Sequence, residues 1–258
     1  MVRGCSASSG LPSGPTSCDN SYTKQYGQYQ TSPPGGGGGG LGCEDEVCPD
    51  ACMGSVNYTL YPSTGCPSYW ESNGCWCYQP SPILIDVLGN GFDLTDASDG
   101  VLFDIGADGQ IDQVAWTALA SDDAWLVLDR NGNDIIDDAK ELFGTVTPQP
   151  TSAHANGFLA LAVYDEPDNG GNEDSVIDRG DAIFSQLWLW QDTNHNGISE
   201  ENELHTLSSL GIESMDLNYR ESRRQDQYGN LFRYRAKVYG ANHVHLGRWA
   251  YDVFLVSQ

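Results

Sequence analysis

The chain has 258 residues, with 36 Asp and Glu against 12 Lys and Arg, a formal net charge of −24. So acidic a balance excludes nucleic acid and anionic lipid as natural ligands, because both need a basic face that releases counterions or meets lipid charge, and it points to cations. No run of 18 apolar residues occurs, so no segment reads as a membrane span.

Cysteine and charge divide the chain. All eight cysteines (Cys5, Cys18, Cys43, Cys48, Cys52, Cys66, Cys75, Cys77) precede Tyr78, whereas 30 of the 36 acidic residues and 10 of the 12 basic ones lie beyond residue 80. Residues 1–42 are rich in Gly, Ser and Pro, with Pro33-Pro34 ahead of the glycines from Gly35 to Gly40, and read as a flexible tether. Residues 43–80 read as a Cys-rich disulfide segment, with zinc as the alternative, although no C-x2-C pair occurs. Dense cysteine in a short segment suits an oxidising compartment, so a secreted or cell-surface location is expected. The first residues lack the apolar stretch of a secretory signal, which reads as a non-natural start or as the tail of a larger export substrate.

From residue 81 to 258 an acidic domain is expected, in which short apolar runs such as Ile83-Leu84-Ile85, Val101-Leu102-Phe103 and Trp125 to Leu128 each meet an aspartate. The pattern predicts helices over Asp178 to Leu187 and over Glu200 to Leu210, the second capped by Gly211. It predicts strands over Ile212 to Tyr219, Leu231 to Tyr239 and Trp249 to Val256, with a turn at Tyr228-Gly229-Asn230. The expected class is α+β, a small domain of short strands and helices organised around EF-hand-like calcium loops.

Calcium takes six to eight oxygens, and a 12-residue EF loop supplies them from positions 1, 3, 5, 7, 9 and 12. Asp192, Asn194, Asn196, Ile198 (by its carbonyl), Glu200 and Glu203 fill all six, with Gly197 at the sharp turn. An Asn/Gly-rich surface turn would explain Asn194 to Gly197 but not the closing acid. A second loop offers Asp129, Asn131, Asn133, Ile135 and Asp137, with Asp134 in the glycine position and the closing Glu141 thirteenth. A third offers Asn172, Asp174, Val176, Asp178 and Asp181; its first position falls on Gly170, so Asp165, Asp168 or Asn169 would have to return to the ion. The segments starting at Asp104 and Asp86 read as tight turns rather than sites.

Residues 82–220 resemble the calcium-responsive self-processing module of bacterial RTX-type exported proteins, through Pro82-Ile-Leu-Ile-Asp86, Leu128 to Asp137, Glu141-Leu-Phe-Gly144 and Leu189-Trp-Gln-Asp192. The whole stretch from Pro82 onward is similar to EF-hand-containing bacterial secreted proteins. The resemblance implies a calcium-folded module that cleaves an Asp-Pro bond at its own N-terminal edge and transfers the new acyl end to a lysine. Here Ser81 precedes Pro82 and the chain contains no Asp-Pro, so that cleavage is expected to be absent.

No H-E-x-x-H, nucleophile elbow or phosphate loop is present. His243 and His245 read as a solvated pair in preference to a metal site, and Trp188 and Trp190 as core residues. A non-enzymatic, exported, structural or adhesive module is expected, with Ca2+ as its ligand and another extracellular protein or a glycan as its partner. The alternative is a calcium-triggered autoproteolytic or peptide-ligating module.

Overall fold

The computed structural model describes residues 58–59, 71–72, 77–150, 152, 154–241, 244–245 and 247–257. The chain divides into two compact units, Met1–Gln79 with Thr151–His154, and Pro80–Pro150 with Ala155–Gln258. In the first unit β1 (Tyr58–Thr59), β2 (Glu71–Ser72) and β3 (Cys77–Tyr78) pair antiparallel in the order β1-β3-β2. The tether and the cysteines before Cys77, with the disulfide and zinc readings that rest on them, lie outside the described residues.

The second unit is mostly β, a curled antiparallel half-barrel sheet with one short helix among its described residues, and this overturns the expected α+β class. Its strands are β4 (Ile83–Ile85), β5 (Val101–Phe103), β6 (Asp112–Val114), β7 (Ala124–Val127), β8 (Val176–Ile177), β9 (Trp188–Trp190), β10 (Leu204–Thr206), β11 (Ser214–Asp216), β12 (Arg220–Gln225), β13 (Leu231–Tyr239) and β14 (Trp249–Phe254). Nine of them form the sheet in the order β10-β9-β7-β4-β14-β13-β11-β8, with β12 also pairing β13; β5 and β6 make a separate hairpin.

The two predicted helices are not α-helical. Asp178 to Leu187 contains only a 3-10 turn at Ala182–Ser185, and Glu200 to Leu210 breaks into a 3-10 turn, strand β10 and a second 3-10 turn. The cause is local competition: the Asp178 side chain takes the Gly180 N–H at 2.6 Å, and Thr206 takes the Ser209 N–H at 3.2 Å. Such side chain to backbone bonds offer the chain an alternative to the helical ladder. Gly211 does cap its turn in a left-handed conformation, φ 69°. The strand readings hold well: β13 spans the predicted residues, and β11 and β14 lie within theirs. The α-helix, α1 (Gly157–Ala162), starts where the Asn156 side chain accepts the N–H groups of Phe158 and Leu159.

Both faces of the sheet are covered, which is why its central strands read as continuous apolar runs instead of alternating ones. Ile83, Ile85, Leu126 and Leu189 pack with Phe158 and Leu161 of α1. Leu84, Trp125, Val127 and Trp190 pack on the other face with Phe103 and Trp116 from around the β5–β6 hairpin. There Trp116 stands 4.6 Å from Trp125 and 5.5 Å from Trp190 between ring centroids. Trp190 is therefore a core residue as expected, but Trp188 is 36% exposed and is not.

One polar residue interrupts this packing. Asp252 of β14 is fully buried and accepts the Gly157 N–H at 3.3 Å, with Ser81 beside it. Burial pushes its carboxyl up to about 7, against the weaker opposing pull of the Ser81 hydroxyl and the Gly157 N–H. Neither Asp252 Oδ1 nor Ser81 Oγ has a hydrogen-bond partner of good geometry. Gly144 packs equally closely here, since a Cβ on it would lie 1.3 Å from the Ser81 carbonyl oxygen.

Two outcomes are expected. Gly144→Ala forces backbone apart and lowers the unfolding free energy by about 3 kcal/mol, read from the urea midpoint. Unfolded Asp252 ionises near 3.8, whereas the folded chain holds the proton to about 7. The cost of its burial is thus absent below pH 4 and grows as pH rises to 7. Asp252→Asn should match the parent at pH 4 and exceed its stability by about 4 kcal/mol at pH 8; parallel pH profiles would disprove this.

Candidate functional site

Four acidic loops open with an aspartate whose carboxylate catches the N–H groups four and five residues on. Asp192 accepts from Asn196 at 3.0 Å and Gly197 at 2.8 Å, and Asp104 accepts from Asp108 at 3.1 Å and Gly109 at 2.9 Å. Asp129 accepts from Gly132, Asn133 and Asp134 at 2.7, 3.3 and 3.0 Å. Asp86 accepts from Gly89, Asn90 and Gly91 at 2.7, 3.1 and 2.9 Å. The backbone repeats as faithfully, being left-handed at the fourth and sixth positions of all these loops: Gly89 and Gly91, Ala107 and Gly109, Gly132 and Asp134, His195 and Gly197. Asp134 thus adopts, at φ 66°, the conformation for which the motif normally uses glycine.

The third loop has the same frame with its first residue displaced. Glu173 and Ser175 take the left-handed positions, but the carboxylate at the head of the loop belongs to Asp165, which accepts from Asp174 at 3.2 Å and Ser175 at 2.9 Å. The chain doubles back through Gly171, where a Cβ would lie 2.1 Å from the Asp165 carbonyl carbon. Asn169 turns away to the Val163 carbonyl. Of the three residues able to fill that position, the structure selects Asp165, a residue absent from the contiguous motif.

The closing acids also correspond. Glu203 Oε1 accepts the Thr193 and Asn194 N–H groups at 2.9 and 3.3 Å, and Glu141 Oε1 accepts those of Arg130 and Asn131 at 3.0 and 3.4 Å. The thirteenth residue of the second loop therefore does what the twelfth does in the first. In the third loop Asp181 accepts the Asp178 N–H at 2.9 Å, as Glu141 does that of Asp137 at 3.0 Å.

Around these ends the predicted side chains gather. Asn194 and Asn196 both donate to Glu200 Oε1, at 3.2 and 2.9 Å, and the Glu200 and Glu203 side chains meet. Asn133 donates to Asp137 at 2.8 Å, and Asn172 to Asp174 at 3.0 Å. Ile198 and Ile135 expose their side chains, leaving only a carbonyl to serve a ligand. Val176 opens β8, opposite Asp216.

Burial raises the carboxyl of each closing acid above its ordinary range. For Glu203 the Glu200 side chain adds to that rise, and for Asp181 the charges of Asp165, Asp174 and Asp178 do. At Glu141 burial again leads, opposed by the three N–H groups it accepts. Glu200 is held low by Glu203 and by the amides of Asn196 and Asn194.

Helices do not flank these loops in EF-hand fashion. The Asp192 loop joins β9 to β10, which pair antiparallel with Leu204 opposite Trp190, and β7 leads into the Asp129 loop. The loops touch each other directly. Ser199 Oγ accepts the Ile136 N–H at 2.7 Å, and both residues occupy the eighth position of their loops. Arg130 donates to the Tyr164 hydroxyl at 2.6 Å, one residue before Asp165. Lys140 Nζ donates to the Ala107 carbonyl at 2.7 Å, and the His195 ring nitrogens lie 2.6 Å from the Thr117 and Asp99 carbonyls. Of the predicted histidine pair, His243 lies outside the described residues, and His245 faces the Val238 carbonyl at 3.1 Å.

Residues 83–250, from β4 into β14, match the model of the SPM domain. This chain belongs to the SPM domain family. Its similarity extends to the iron-regulated protein FrpA of Neisseria meningitidis serogroup C, 40% identical over 152 residues. That stretch is 58% of this chain but 13% of FrpA, so the SPM chain corresponds to a small part of its relative.

Replacing Asp134 by glycine tests the backbone assignment. Relief of the left-handed strain is expected to raise stability by about 0.5–1 kcal/mol in thermal unfolding; a loss would place φ at residue 134 elsewhere.

Proposed function

We propose that this SPM domain is a calcium-binding module of an exported bacterial protein, structural or adhesive in role and not an enzyme. The observation that carries the reading is a pair of strained acceptors at the predicted ligands: Asp181 Oδ1 is a buried atom without a hydrogen-bond partner, and buried Glu200 Oε2 has no neutral donor, the carboxyl meeting that of Glu203. Each lies among further oxygens of its loop, and a buried acceptor without a donor is costly unless something positive meets it. The donor set is all oxygen, which suits a hard cation. When bound, calcium would supply the charge that offsets the crowded carboxylates.

Asp192, Asn194, Asn196, Glu200, Glu203 and the Ile198 carbonyl would hold one ion, the two amides turning their oxygens inward. Asp129, Asn131, Asn133, Asp137, Glu141 and the Ile135 carbonyl would hold a second. The third set is Asp165, Asn172, Asp174, Asp178, Asp181 and the Val176 carbonyl. Because carboxylates held this close repel, ion binding becomes folding free energy. An affinity of about 10⁻⁴ to 10⁻³ M, that of extracellular modules, would let the chain complete its fold only after export. The resemblance to RTX-type exported proteins, and the similarity to FrpA, support an extracellular setting. Among the described residues no helix is long and apolar enough to cross a membrane.

Family membership favours one second reading, calcium-triggered self-processing at the N-terminal edge. Against it stands Ser81, which has no carboxylate to attack its own carbonyl. The Ser81–Pro82 bond is nevertheless held firmly: Thr145 N–H donates to the Ser81 carbonyl at 3.2 Å and Val253 N–H to that of Pro82 at 2.9 Å.

Terbium luminescence tests calcium binding, since Trp190 Nε1 lies 3.4 Å from Glu203 Oε2 and would sensitise an ion in the Asp192 loop. Sensitised emission is expected, displaced by calcium and reduced at least tenfold by Asp192→Ala. Silence at millimolar terbium would refute the assignment. On a denaturing gel, millimolar calcium should leave the parent chain intact, whereas Ser81→Asp should yield a new fragment. Fragments from the parent would make it a self-processing enzyme.

A further inference from the structure

The Asp86 loop shares the backbone of the others but has Ala97 at its twelfth position, so it carries no closing acid of its own. The sheet brings one from elsewhere. Ile85 of β4 pairs with Ala124 of β7 in antiparallel register, so the next pair outward sets Asp86 opposite Asp123. Like charges in that position destabilise a strand pair. Asp122 joins them, and one carboxylate oxygen from each of the three lies within 4.8 Å of the other two.

The donors around this cluster are all neutral. Asp122 accepts from the Leu88 N–H at 3.0 Å and Asn90 Nδ2 at 2.8 Å. Asp123 Oδ2 accepts from the Asp93 N–H at 2.8 Å and the Ser121 hydroxyl at 2.9 Å. The other oxygen, Asp123 Oδ1, has no partner, on a residue only 1% exposed. Neutral N–H groups position three carboxylates but do not cancel their charge, and solvent does not reach the stranded oxygen.

We propose that Asp86, Asp122 and Asp123 form a further site for a hard divalent cation, closed by acids from a different segment of the chain. A cation there meets the stranded oxygen, relieves the opposed pair and rivets the exit of β4 to the entrance of β7. Without one, the cluster answers its repulsion with a proton: burial, with Asp122 and Asp86 adding, raises the Asp123 carboxyl to about 7. The site also reports to the Asp192 loop, because Gln191 Nε2 donates to the Asp122 carbonyl at 2.5 Å and Ala120 N–H to that of Thr193 at 3.0 Å.

Equilibrium dialysis of the full 258-residue chain against calcium alone and magnesium alone counts the bound ions. Asp123→Asn and Asp122→Asn should each bind one ion fewer than the parent in at least one arm, and Asp123→Asn with Asp192→Ala should bind two fewer. Parental counts in both arms for both single variants would overturn the site, while Asp192→Ala reports separately on the loops proposed above. Should Asp123→Asn fail to fold, amide spectra of the parent decide: saturation must shift the Leu88 and Asp93 resonances, and resonances that stay put overturn the site equally.

Discussion

An aspartate carboxylate accepting the backbone N–H groups four and five residues ahead is the interaction on which the second unit depends. It ends each apolar run, forces two left-handed residues into the turn and gathers the remaining polar side chains on the inside of the curve. Where the left-handed residue is glycine the strain is small, and where it is Ala107, Asp134 or His195 the carboxylate has more to overcome. The same bonds leave the closing acid buried against the loop, with its carboxyl raised above its ordinary range.

The sheet supplies the rigidity that these turns lack. With both faces covered, its central strands hold Trp125 and Trp190 in a packed aromatic cluster, and the loops emerge from fixed strand ends. Direct contacts then join neighbouring loops, through Ile136 and Ser199, through Arg130 and Tyr164, and through Lys140 and Ala107. A change at one loop has a material path to the next, although the coupling energy is a separate quantity from the contact itself.

Much of this was readable in the residues where the pattern is local. The β13 strand follows from alternating buried positions, β14 from a nearly continuous apolar run, and the Asp192 loop from an unbroken ligand series. The Asp165 role was less visible, because five residues separate it from the position it serves and only Gly170-Gly171 hints that the chain doubles back. Asp122 and Asp123 carry no motif at all; their place comes from the pairing of β4 with β7. The helices failed for the opposite reason: Asp178, Gly180 and Thr206 satisfy backbone groups locally, and apolar spacing alone does not register that competition. The EF-hand reading was wrong about the flanks of the loops, since ligand spacing constrains the turn and leaves open what precedes it.

The order of strands gives the loops one more significance. The outermost strand on one side, β10, begins at the residue after Glu203, and the outermost on the other, β8, is itself part of the Asp165 loop. One selvedge of the sheet thus follows directly from a loop and the other is woven from loop residues. Disordering the loops would peel a strand from each margin and bare two rows of unpaired amides and carbonyls, the surfaces through which sheets adhere to one another. Chain association on disordering of the loops would begin at those margins, with the aromatic interior still intact.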